Sequence, residues 1–444
     1  MLKLRKRLLN ILFWSVISAA FIGPGTVTTC TKAGAVYGYD LLWAIVFSTF
    51  ACVLLQETSA RLTIISGLNL GQAIARQFEG KPSRFLILGM VVGAIILGSA
   101  AYETGNIVGS VIGLRFIIDV PNYYLIIGTG ILAYLALSLK SVELIARIMG
   151  GIVFLMGIAF FTTAIQVTPS YSGILHGSLI PKIPESGGAG LIILGLIGTT
   201  VVPYDLFLGS GVLDKKQTIF EMRFGVSVAV ILGGLISMAI MVVGTLIKGE
   251  FTYEALSLAL TTAIGPFAVY VFGFGMFAAG FSSAITAPLA SAITARSLFF
   301  STSNKKWMPT GCNFKLLYFS ILLVGLGFGF LDVEPIPAII LAQAFNGLIL
   351  PFISIFLIFV INDPVVMGKE NTNSLFHNVL MSLVMWVTMI IGLINIFKAS
   401  VKVFKYTLPA ENDLILIISI ISLIASIGII FALSKFKRKR ALSL

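Results

Sequence analysis

The sequence predicts an all-α polytopic membrane protein of about 12 transmembrane helices, arranged as an inverted five-plus-five helix repeat with discontinuous helices 1 and 6. Three observations predict it. Hydrophobic residues make up 58% of the 444-residue chain and charged residues only 11%, with a mean hydropathy of +1.03. A soluble domain carries about 25% charged residues. Apolar runs long enough to cross a bilayer, about 20 residues each, recur with short polar breaks. Two of these runs are interrupted near their centres, at Phe21-Ile-Gly-Pro-Gly-Thr26 and at Thr199-Thr-Val-Val-Pro-Tyr-Asp205.

The runs lie, in order, near 11–33, 40–62, 85–113, 122–140, 144–167, 188–212, 222–247, 264–299, 314–331, 336–361, 375–397 and 413–434. The run at 264–299 is too long for one straight crossing, so part of it tilts or extends beyond the lipid. The longest loop is near 168–187, and no stretch reads as a soluble domain. Proline removes a backbone donor and glycine weakens a helix. Lipid offers no replacement partners, so broken helices belong where they line a cavity or are buried in protein. Each broken run is followed by four more spans. Residues 11–167 and 188–361 therefore form two five-span units of opposite orientation, and 375–434 adds two helices. In that plan the transported species sits between the two breaks at mid-membrane.

Lysine and arginine set the orientation. With twelve spans and the N-terminus inside, 23 of the 30 basic residues fall on the inner side. Only Lys32, Arg115, Lys182, Lys248, Lys398, Lys402 and Lys405 fall outside. The chain is therefore expected to be a multi-pass protein of the cell membrane with both termini cytoplasmic. The basic start (Lys3, Arg5, Lys6, Arg7) and Ser18-Ala-Ala20 imitate a cleavable signal peptide. Retention is expected, because cleavage would destroy the partner of the second broken helix.

Several function classes are excluded. The net charge of +12 is dispersed between apolar runs, which argues against a nucleic-acid partner. Cys30, Cys52 and Cys312 lack paired spacing, and His176 and His377 are isolated. No Gly-x-x-x-x-Gly-Lys-Ser/Thr loop is present, and no nucleophile–histidine–carboxylate set can be assembled. The chain reads as a secondary transporter. It reads neither as an enzyme nor as a holder of a cofactor.

Tyr37-Gly-Tyr-Asp-Leu-Leu-Trp43 and Leu54-Leu-Gln-Glu-Thr-Ser-Ala-Arg-Leu62 resemble stretches of the Nramp family of proton-linked divalent metal-ion transporters. So do Gly195–Leu206, Ala279-Gly-Phe-Ser-Ser-Ala284, Gln343, Leu350-Pro-Phe352 and the segment from Asp363 to Gly368. The resemblance implies a LeuT-like inverted repeat of eleven or twelve spans with a metal site between helices 1 and 6. The family's Asp-Pro-Gly-Asn turn of helix 1 reads Gly23-Pro-Gly-Thr26 here, and its Met-Pro-His of helix 6 reads Val202-Pro-Tyr204. Asn106 and Gly109 stand at positions similar to the family's acids of helix 3. Thioether and imidazole favour transition metals, so their loss implies a harder cation.

The polar groups carry the remaining expectations. A carboxylate at mid-bilayer is costly, about 2.5–3.5 kcal/mol on insertion scales. Asp205 therefore binds a cation, accepts a proton, or caps backbone freed beside Pro203. Asp205 and Thr26 are the expected metal ligands. Gly23, Thr199, Val202, Tyr204 and Gln343 complete the substrate set, the last by its resemblance to a family position that reaches the metal. The hydroxyls of Thr26, Thr28, Thr29, Thr31, Thr199 and Thr200 suit a hard ion such as magnesium, or else re-satisfy kinked backbone. Glu103 either relays protons or pairs within the bundle. Glu57 and Arg61, four apart on one helix face, form an ion pair or gate. Lys32 snorkels to water, or in the vestibule it repels cations or attracts an anionic solute. The expected cargo is a divalent metal cation. The alternative is a small organic or anionic solute, perhaps sodium-coupled.

Overall fold

The computed structural model describes residues 22–138, 142–184, 188–213, 217–299, 304–331, 334–404 and 411–442. The first half of the first apolar run, and with it the signal-peptide question, lies outside the described residues. From Ile22 onward the chain builds a bundle of α-helices. In chain order they are α1 (Pro24–Tyr37), α2 (Leu42–Ser66), α3 (Leu70–Gln77), α4 (Arg84–Arg115), α5 (Asn122–Ser138) and α6 (Val142–Gln166). Then come α7 (Tyr171–Leu179), α8 (Ala189–Thr200), α9 (Pro203–Val212), α10 (Ile219–Gly244), α11 (Tyr253–Ile264) and α12 (Ala268–Phe299). The chain ends with α13 (Cys312–Phe330), α14 (Pro335–Ile361), α15 (Pro364–Met367), α16 (Leu375–Phe404) and α17 (Glu411–Ala441). Among the described residues, ten helices are long and apolar enough to cross a membrane, counting α8 and α9 together. The shorter α5 and the described half of the first run, α1, stand beside them.

Several boundaries differ from expectation for local reasons. The residues before the eighth run form a separate helix, α11. Thr252 caps it by accepting from the Ala255 amide at 3.1 Å, and Gly265, at φ +91°, ends it. The eighth run is then a single helix of 32 residues, about 48 Å at 1.5 Å per residue and well beyond a hydrocarbon core of about 30 Å. The loop at 168–187 contains α7, and α3 comes after α2 through an Asn69–Gln72 capping box. The basic end of the chain is helical to Ala441, not just to 434.

Close approach around the two broken helices depends on glycine, as is common where membrane helices pack without a hydrophobic driving force between them. On α8, a Cβ at Gly198 would lie 2.0 Å from the carbonyl oxygen of Gln343 on α14. On α1, a Cβ at Gly34 would lie 2.0 Å from the carbonyl oxygen of Met241 on α10. Both clashes are with backbone, which cannot rotate aside. Alongside, α2 and α9 run in the same direction. The Ser59 hydroxyl donates to the Leu206 carbonyl at 2.9 Å, and the Thr63 hydroxyl to the Ser210 carbonyl at 3.2 Å. The two pieces of the sixth run are thereby clamped, α8 by α14 and α9 by α2.

Gly198→Val is expected to force α8 away from α14 and to destabilise the protein by about 1–3 kcal/mol or more. The measurement is a melting temperature in detergent, and an unchanged melting temperature would show that the seam is looser than described.

Candidate functional site

The break in the sixth run is explicit. Helix α8 stops at Thr200. Val201 (φ −106°, ψ 87°) has left the helical range, Val202 (φ −87°, ψ 117°) is extended, and Pro203 is the first residue of α9. Proline offers no N–H, so the Thr199 carbonyl, four residues earlier, has no amide to accept from. Among the described residues no turn or loop hydrogen bond engages the carbonyls of Gly198, Thr199 or Thr200. The Val202 carbonyl accepts from the Asp205 amide at 3.1 Å. Asp205 thus stands in the first turn of α9, where the positive end of the helix dipole favours a carboxylate.

In the first run, Gly23 is extended and Pro24 opens α1. Gly23 belongs to the expected substrate set, yet its carbonyl accepts from the Thr26 and Val27 amides at 3.0 and 3.2 Å, because the residue before a helix supplies the first acceptor of its ladder. Open carbonyls are therefore a feature of the α8 end. The two runs meet there: the hydroxyl oxygens of Thr26 and Thr199 are 2.8 Å apart across 173 residues of sequence.

Other hydroxyls divide by role. Thr200 donates to the Leu196 carbonyl at 2.9 Å and Thr28 to the Pro24 carbonyl at 2.7 Å, so these two re-satisfy backbone. Thr28 also lies 2.7 Å from the hydroxyl of Tyr253, which ties α11 to α1. That tyrosine was not legible in the sequence, since nothing marks a loop residue as reaching back to the first helix. Thr29 and Thr31 are buried with hydroxyls unpartnered among the described residues.

Gln343, in the first third of α14, packs its amide against Gly25, where a Cβ would fall 2.1 Å from Nε2. Tyr204 is buried, its ring edge-on to that of Tyr102 on α4 with centroids 5.5 Å apart. Thr26, Thr199, Val202, Tyr204, Asp205 and Gln343 are all sealed from solvent, Asp205 at 0% exposure. Neither carboxylate oxygen of Asp205 has a hydrogen-bond partner among the described residues, and neither does Oε1 of Gln343. Among the described residues no group of three or more histidine, cysteine or acidic side chains could hold a metal. A cation here would rely on Asp205, hydroxyls and carbonyls.

The remaining expected residues lie elsewhere. Glu103 is fully buried, and its Oε2 accepts from the Asn106 amide at 3.2 Å. Its Cγ packs against Gly325 of α13, and its Oε1 has no hydrogen-bond partner among the described residues. Glu57 bonds Arg61 at 3.0 Å and also Arg223 of α10 at 2.9 Å. Arg61 in turn donates to the Asn371 carbonyl at 3.3 Å and to the Asn373 side chain. The expected pair is thus the core of a network joining α2, α10 and the segment after α15. Arg223, Asn371 and Asn373 were not anticipated, because nothing in their spacing links them to Glu57. Lys32 is half-buried on α1 and takes part in none of the ion pairs among the described residues.

Comparison with known proteins agrees with this architecture. The family model described as natural resistance-associated macrophage protein-like (Nramp) matches residues 15–398. The divalent metal cation transporter MntH of Yersinia pestis (strain Pestoides F) is 29% identical over 308 residues, 65% of this chain and 73% of that protein. The MntH of Verminephrobacter eiseniae is 30% identical over 295 residues, covering 63% of this chain and 66% of its own length. The solved manganese transporter of Eremococcus coleocola superposes with a TM-score of 0.72 at 20% identity, covering 98% of this chain and 96% of that one. Mhp1, a nucleobase-cation-symport-1 family transporter in a closed conformation, superposes with a TM-score of 0.56 at 13% identity over 96% and 92%. At these identities the two structures speak to the fold, a LeuT-like bundle.

Glu57→Gln leaves the buried Arg61 without its counter-charge and is expected to destabilise by about 3 kcal/mol. Arg223→Gln, whose side chain is 50% exposed, is expected to cost about 1 kcal/mol or less. Equal losses in a denaturation series of the two variants would contradict the network described.

Proposed function

The chain belongs to the Nramp family, and from that membership we propose that it moves a divalent metal cation across the cell membrane by alternating access at the break between α8 and α9. One observation carries the reading: Asp205 is a fully buried carboxylate with both oxygens unpartnered among the described residues, in the turn just past a helix break. A buried charge of this kind calls for a counter-ion or a proton. The Thr26–Thr199 hydroxyl pair supports placing the ion where the two runs meet.

Asp205 supplies the charge that the first run lacks at Gly23. Thr26, Thr199, the Thr199 carbonyl and the Gln343 amide supply neutral oxygens. An all-oxygen set suits a hard divalent ion that keeps some of its water, so preference for transition metals is weak. Val202 holds the extended backbone of the break, and Tyr204 walls the site against Tyr102. A small anionic solute draws no support here, since the buried charge is an acid. Residues 11–167 and 188–361 act as the two inverted halves, with 375–434 as a peripheral pair. The bias of basic residues supports cytoplasmic placement of both termini. The Glu57–Arg61–Arg223 network closes the inner side, and Glu103 with Asn106 braces α4 rather than binding cargo.

A thermal-shift titration of the purified protein with magnesium and manganese, paired with uptake into proteoliposomes, tests this. An ion at one hundred times its dissociation constant stabilises by about 2.7 kcal/mol. That shift and divalent uptake are both expected to vanish in Asp205→Asn. No divalent response in the unmutated protein would sink the proposal, and a strong preference for manganese would sink its hard-ion part.

A further inference from the structure

The helix α14 has three polar side chains, Gln343, Asn346 and Ser354, and the cation site uses only the first. With Leu350 between them, the spacing places all three on one face. Each is only 1% exposed. Oε1 of Gln343, both polar atoms of the Asn346 amide and Oγ of Ser354 have no hydrogen-bond partner among the described residues. A buried amide with neither end paired is unfavourable in any low-dielectric surround. Unpaired in a membrane helix, it calls for water or another polar partner inside the bundle.

The facing helix matches. α4 runs antiparallel to α14: Gly105 approaches Ile339 and Gln343, and Gly98 approaches Asn346, whose Oδ1 would lie 2.8 Å from a Cβ there. Tyr102 sits between these glycines on the same face, and Ser99 sits next to Gly98. Both are buried, and the Ser99 hydroxyl is unpartnered among the described residues. Past Ser354 the face turns apolar at Leu357 and Ile361, both 0% exposed. Just beyond the helix end lies a cavity of about 270 Å³ lined by Arg76, Gln77, Asp363 and Arg440, among others. Oε1 of Gln77 is unpartnered among the described residues, and the Asp363 carboxylate lies 3.6 Å from Arg440.

We propose that this face of α14 is the route by which the cation, with part of its water, passes between the helix break and the Asp363 cavity. Asn346 is the first stop, Ser354 the second, and Leu357 with Ile361 the seal that is shut in this conformation. The inference rests on the divalent-cation reading for what travels, though the existence of the route is tested without it.

Cysteine accessibility decides. Cys30 and Cys52 are buried and Cys312 is exposed, so the background is the full chain with Cys312→Ser. Ser354→Cys and Asn346→Cys are compared in proteoliposomes with Ala344→Cys, a buried position on another face of α14. The probe is a charged, water-soluble methanethiosulfonate. The expected result is modification at 354 and 346, slowed by divalent ion, with none at 344. Unmodified cysteines at both lane positions, in protein whose melting temperature matches the background, would overturn the route. A second measurement removes the groups outright. Asn346→Leu combined with Ser354→Val should cut uptake several-fold while the divalent thermal shift at Asp205 persists, and undiminished uptake would also overturn it. Loss of the thermal shift in the background protein itself is a failure of the cation reading, and labelling then still judges the route.

Discussion

A single missing hydrogen bond organises the centre of this protein. Pro203 has no N–H to give the Thr199 carbonyl, and lipid has none to substitute. The chain therefore has to leave the helix at Val201 and Val202, and the open ends have to lie inside protein. Everything packed around the break serves that requirement. Glycine on α8 admits α14 to backbone contact, hydroxyls on α2 hold α9, and Thr26 brings the first run against Thr199. The buried cluster of polar groups is thus a consequence of keeping broken helices out of lipid.

Much of this was readable from the residues alone. Proline chemistry is local, so Pro203 places the second break to within a residue, and Asp205 is fixed by its offset. Hydropathy located the crossings, because a bilayer demands length and little else. The features that stayed hidden were long-range or conformational. Gly23 looks like a freed carbonyl in sequence, yet a helix beginning at Pro24 uses it as its first acceptor. Tyr253 reaches Thr28 across 225 residues, and Glu57 recruits Arg223 across 166. No periodicity encodes such pairings. Asn346 and Ser354 drew no notice in the sequence, where an amide and a hydroxyl in an apolar run have no partner spacing to mark them. Only burial without partners gives them meaning.

The site's departures from its family can be weighed by charge. The resemblance read in the sequence implies a family acid in the turn of helix 1 where Gly23 stands here, while Asp205 places one in helix 6. In the proposed site a lone carboxylate would balance half of a dication, and the other half would come from dipoles. The C-terminal end of α8 presents its negative pole and its open carbonyls, and the Thr26–Thr199 hydroxyls turn oxygen toward a cation at little cost. The N-terminal ends of α1 and α9 oppose this with their positive poles. Dipoles screen a dication less well than a second carboxylate, so an ion here does best by retaining water. That in turn asks for a route wide and polar enough for a partly hydrated ion. A stripe of amide and hydroxyl groups meets this need, since it can replace waters one at a time without the trap that a further fixed charge would create.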